Sequence, residues 1–163
     1  MLVISFRYTV ISQLGTGNLE KTYSDCAIAI REGRANKPKQ VFSLLKPAYV
    51  EDKRFEAVDL TDNAITDKIG LIYSSLSQFK GIRYVGATKI MHLLRPNFFM
   101  MWDKKIIEHY KKDTRRGYIN TSRAGYVNFM KEMQRRYRNG EFPNLKKDVS
   151  IPRAIDLYNL EIR

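Results

Sequence analysis

Cysteine is nearly absent. Cys26 is the only one in 163 residues, which excludes an internal disulfide framework and any four-cysteine iron–sulfur cluster. Histidine is almost as scarce: His92 and His109 stand isolated, with no Cys or carboxylate at metal-ligand spacing, so both read as structural or surface residues. No apolar run approaches the ~18–20 residues that a membrane span requires. The chain holds no HExxH, no Walker loop and no Ser or Cys in a nucleophile elbow, and Gly15-x-Gly17 alone is too little for nucleotide binding. Internal repeats and low-complexity stretches are missing too. The opening MLVISFRYTVI is too short for a secretion signal and lacks its basic start. These absences leave a soluble, intracellular protein (cytoplasm or nucleoid) with no membrane partner. The length suits one domain spanning 1–163.

Acidic residues are the other shortage. Seventeen Asp and Glu face 29 Lys and Arg, a formal net charge of +12. The excess gathers after residue 103, in Lys104, Lys105, Lys111, Lys112, Arg115, Arg116, Arg123, Lys131, Arg135, Arg136, Arg138, Lys146, Lys147, Arg153 and Arg163. A solvated basic surface is the bland reading. A phosphate-facing side is the functional one.

Periodicity indicates a mainly α, compact helical domain, with a strand or short buried helix in the first eleven residues. Leu19 to Arg31 reads as a helix, Gly33 to Pro38 as a turn, and Val41 to Leu45 as a short helix ended by Pro47. Residues 46–61 carry mixed charge without periodicity and look like a connection. A helix runs from Asn63 or Thr66 to Phe79, with Ile65, Ile69, Ile72, Tyr73 and Leu76 as its buried stripe. Ala87, Ile90, Met91 and Leu94 continue at spacings of three and four, until Arg95-Pro96-Asn97 closes that helix. Asp103 stands where an N-cap would, ahead of Lys104 to Lys111 with Ile106, Ile107 and Tyr110. Thr121 or Ser122 opens a helix to Arg138, with Tyr126, Val127, Met130 and Met133 or Tyr137 inward, and Asn139-Gly140 stops it. Ser150 and Pro152 open a last helix that packs through Ala154, Ile155, Tyr158 and Ile162.

The most specific stretch is Leu76 to Asp103, LSQFKGIRYVGATKIMHLLRPNFFMMWD. Gly81-Ile82-Arg83 is short enough only for a sharp turn between two helices, and a helix N-terminus there offers N–H groups to a phosphate. Leu76, Phe79, Gly81, Ile82, Ala87 and the pair Ile90-Met91 together resemble the helix-hairpin-helix motif of the endonuclease III-like DNA glycosylase superfamily. The likeness covers about thirty residues, with 66–112 as the hairpin plus its Asp-bearing helix. The family's aspartate follows the motif's alanine by sixteen residues; counted from Ala87 that position is Asp103. Arg83 departs from the pattern, which has glycine there.

The resemblance implies a DNA-binding hydrolase of base-excision repair that removes a flipped base from double-stranded DNA. Asp103 would be its catalytic carboxylate, stabilising positive charge on the deoxyribose or activating a water. DNA would be held by Gly81, Ile82, Arg83, Lys89, Lys104 and Lys105. Family members that cleave the strand carry a Schiff-base lysine two residues after the second glycine. Val85 stands there, so a monofunctional enzyme is expected, and Lys89 lies one turn further on. No cofactor is required, although a monovalent cation at the hairpin fits the family. The alternative is a non-catalytic nucleic-acid-binding protein on the same motif, with Asp103 only a helix cap; an adaptor for an acidic protein is a third reading.

Overall fold

A computed structural model of the chain describes residues 53–78, 82–111 and 119–161. The expected N-terminal strand, the helices over Leu19–Arg31 and Val41–Leu45, and the turn at Gly33–Pro38 lie outside these residues. So do Cys26, Phe79, Gly81, Lys112, Arg115, Arg116, Tyr118, Ile162 and Arg163. The fold is mainly helical. The described residues hold five helices and no strand: α1 (Asn63–Ser77), α2 (Arg83–Leu94), α3 (Lys104–Tyr110), α4 (Arg123–Arg138) and α5 (Ile151–Glu161). None is long and apolar enough to cross a membrane.

Each boundary has a local cause. Asp62 caps α1 by accepting the Ala64 N–H, and Ser122 caps α4 by accepting that of Gly125. Gly140, at φ 69°, takes the left-handed conformation that ends α4. α1 buries Ile69, Ile72, Tyr73 and Leu76 against α2 and α4. In the middle, Tyr73 stacks on Tyr126 at 4.7 Å, and Trp102 meets both Tyr126 and Phe129. Burying four such large rings removes a substantial apolar area from water.

Residues 53–61 are more than a connection. They form irregular turns, yet Phe55, Val58 and Leu60 are core residues. Side chains from α4 hold this segment down: the Gln134 amide donates to the carbonyls of Phe55 and Val58, and Arg138 donates to those of Glu56 and Val58. A segment with no regular hydrogen bonding can be buried only if side chains satisfy its backbone in this way.

Two glycines test the packing. A Cβ on Gly125 would strike the backbone oxygen and nitrogen of Asn120, which cannot move aside. At Gly70 the obstacle is the flexible side chain of Arg123, with Nε at 2.6 Å. Gly125→Ala is therefore expected to cost roughly 2 kcal/mol or more through overpacking. Gly70→Ala should change stability by less than about 0.5 kcal/mol, because a helix-propensity gain offsets the displaced arginine. Urea unfolding of both variants checks the contrast.

Candidate nucleic-acid interface

α2 ends at Leu94, and α3 begins at Lys104 after nine intervening residues. This strap, from Arg95 to Asp103, is not helical, yet Phe98, Phe99, Met100, Met101 and Trp102 are all buried. Most of its carbonyls have a hydrogen-bond donor. The Arg95 carbonyl accepts the N–H groups of Phe98 and Phe99. Ser150 donates to Pro96 O at 2.8 Å, the Phe55 N–H to Asn97 O at 2.9 Å, and the Tyr126 hydroxyl to Met100 O at 2.8 Å. His92, 2 % exposed, donates from Nδ1 to Phe99 O at 2.8 Å. Thr88 gives its proton to Val85 O and receives the Trp102 N–H at 3.4 Å. Four elements thus grip one strap, and its last residue is Asp103.

Asp103 is half-buried, with φ −136° and ψ −174°, an ordinary extended conformation for an N-cap. Its Oδ1 accepts the Ile106 N–H at 2.9 Å. Lys104 and Lys105 follow at once and are exposed. Lys104 lies 3.8 Å from Glu108 in a solvent-exposed pair, which contributes little. Two cations in the first turn of a helix oppose its dipole, at a cost of order 0.3–1 kcal/mol each. Stability therefore does not explain their position.

The start of α2 also breaks a local rule. Arg83 has φ 50°, left-handed and unfavourable for a residue with a Cβ by roughly 1–2 kcal/mol. Its side chain is exposed. No side chain caps α2, and its first turn holds no acidic residue. The glycine of the resembled pattern falls on the position whose backbone is left-handed here. Ile82 is buried, so only its backbone could meet a ligand; Lys89 is half-buried on α2. Thr88, the residue before Lys89, touches Trp102, the residue before Asp103, so these parts of α2 and the strap adjoin. Gly81 lies outside the described residues.

The basic residues after Asp103 divide by type. Arg123 pairs with Asp67, Arg153 with Asp156, and Arg138 donates to backbone carbonyls. Arg135 and Arg136 both grip the buried Glu132, and Arg135 also reaches Glu141. Burial pushes the Glu132 carboxyl upward, but the two guanidiniums outweigh it and hold the group below the usual carboxylate range. Arg136 also lies over the ring of Tyr110, whose hydroxyl donates to Asn159. Burial raises Tyr110 to about 12. These arginines knit the fold rather than form a free phosphate-facing surface. Lys104, Lys105, Lys111, Lys146 and Lys147 remain exposed to solvent. Trp102 and Tyr110 are core, and Tyr84 packs partly against it.

His92, Thr88, Tyr126 and Ser150 position the strap, and residue type alone did not single them out for that task. The available signal was the run Phe98 to Trp102, apolar without helical periodicity, which demands buried partners for its backbone. Among the described residues no group of three His, Cys, Asp or Glu side chains gathers where a metal ion would bind.

Arg83→Gly is expected to raise stability by about 0.5–1 kcal/mol, since glycine adopts a positive φ without a steric penalty. The same change should weaken any binding of polyanions. Thermal unfolding and a salt titration of DNA binding measure the two effects separately.

No protein-family model, curated protein sequence or solved structure matches the chain.

Proposed function

We propose that this protein binds double-stranded DNA and hydrolyses the N-glycosidic bond of a flipped base, with Asp103 as the reacting carboxylate. The observation that carries the reading is the placement of Asp103. It ends a buried strap fixed by four elements, beside two lysines whose positions oppose helix stability. Rule-breaking residues of this kind gather at functional sites. The resemblance of Leu76–Met91 to a hairpin motif and its register with Asp103 support the same reading, as does the net charge of +12.

In this reaction the bond between C1′ and the base nitrogen breaks as positive charge builds on the sugar. The carboxylate of Asp103 stabilises that charge or takes a proton from an attacking water. Oxygen from water ends on C1′ and the base leaves carrying a proton. Arg83 and the N–H groups at the start of α2 hold a backbone phosphate, while Lys104 and Lys105 hold the strand nearer the reacting sugar. Val85 at the motif position for a Schiff-base lysine makes strand cleavage by that route foreign to this site.

A second reading has one observation in its favour. Asp103 already works as a helix cap, and a capping Asp needs no other reason to be there. The protein would then bind DNA without cutting a bond.

One substitution separates the two. Asn caps a helix about as well as Asp, so Asp103→Asn should leave stability unchanged. Under the enzymatic reading, base release falls by a factor of ~10² or more while salt-dependent DNA binding is retained. The assay uses duplexes carrying uracil, hypoxanthine, 8-oxoguanine, alkylated purines or a thymine mismatch, followed by alkali cleavage. Absence of release from all of them, alongside salt-dependent binding, supports the second reading.

A further inference from the structure

We propose that His92 is an acid-sensitive clasp that holds the Asp103-bearing strap against α2 and lets it go when the imidazole gains a proton. The inference is independent of any catalytic role for Asp103.

The clasp is a matter of position. His92 lies on α2, buried, and its Nδ1–H is committed to the Phe99 carbonyl at 2.8 Å, near the middle of the strap. The charged groups near it are mostly cationic, with the carboxylate of Asp156 among them. On its own helix Lys89 stands three residues before it, and Arg95, at the start of the strap, three residues after. α5 faces it with Arg153, whose guanidinium is paired with Asp156 at 2.6 Å. Asp156 is therefore already engaged. From the strap itself comes an uncharged carbonyl. A proton on the second ring nitrogen would place a positive charge in a buried site, next to the Arg153–Asp156 ion pair.

Burial is the main cause lowering the affinity of His92 for a proton; Arg153 adds to it and the Phe99 hydrogen bond opposes it. The result is a group near 4, against 6.5 in a hydrated chain. The sign follows by linkage. A histidine that binds its proton more weakly in the closed state favours closure fully above about pH 6.5, and this contribution is lost as the pH falls from 6.5 towards 4. The Nδ1–H is present in both protonation states, so the Phe99 bond is not removed directly. The hydration of the imidazolium pulls the ring out of its site, and the strap is released with it. Trp102 and Asp103 lie at the released end.

Trp102 makes the event visible, because it is the only tryptophan and is 1 % exposed. Its emission is followed from pH 8 to pH 4 at fixed ionic strength, together with far-ultraviolet circular dichroism, in the wild type and in His92→Gln. The expected result is a red shift of Trp102 emission below pH 6.5 that precedes loss of helix signal, displaced by about one pH unit or more to lower pH in the variant. Coincident loss of both signals, at the same midpoint in wild type and variant, would overturn the proposal in favour of general acid unfolding. Should His92→Gln fail to fold, the wild type alone decides by proton NMR. The His92 ring resonance should change in step with Trp102 emission; a ring that titrates while the emission stays constant rules the clasp out.

Discussion

The fold rests on one constraint: a buried segment without regular structure must have its backbone polar groups satisfied by something else. The strap from Arg95 to Asp103 drives five consecutive large apolar residues into the core. Its carbonyls would each cost of order 1–3 kcal/mol if left unpaired. Ser150, Phe55, His92 and Tyr126 each supply a donor, from four separate parts of the chain. The helices are consequently fixed relative to one another through the strap. Tyr126 shows how closely the two tasks are joined, because its ring stacks on Tyr73 while its hydroxyl holds Met100 O. A tyrosine so committed is buried on all sides, and burial raises its hydroxyl far above the ordinary range.

The same economy divides the positive charge. Arginine, with a planar fork of donors, is used where one side chain must satisfy several acceptors at once. Glu132 receives Arg135 and Arg136, and Arg138 bridges two carbonyls of residues 53–61. Lysine, a flexible and strongly hydrated point charge, is left on the surface at 104, 105, 111, 146 and 147. Among the described basic residues after Asp103 the exposed cations without a structural ion pair are mainly lysines, and Arg83 at the head of α2 is exposed as well. Two of those lysines follow Asp103 directly in the first turn of α3, where a stability argument alone would have placed acids.

Much of this was legible because its causes are local. The stripe Ile69, Ile72, Tyr73 and Leu76, the caps at Asp103 and Ser122, and the stop at Gly140 depend on residues within a turn or two. What escaped depends on contacts far apart in sequence. Phe55, Val58 and Leu60 carry no periodicity, and only Gln134 and Arg138, some eighty residues on, explain their burial. The strap escaped likewise, since nothing near Phe99 announces that His92 or Tyr126 will reach it. The positive φ of Arg83 was not read from the sequence, since arginine carries no local signal for a left-handed backbone. The candidate site was therefore half-readable: Asp103 and its lysines from local signals, their support from none.

Native-state hydrogen exchange of the amides of Phe98, Phe99 and Trp102 tests the strap most directly. If the strap is the fixed frame described, these three amides exchange only through opening close to global unfolding and are protected like the core of α4. Exchange at the rate of an exposed loop, with α4 still protected, would contradict it, because Asp103 would then sit at the end of a loose segment rather than a fixed one.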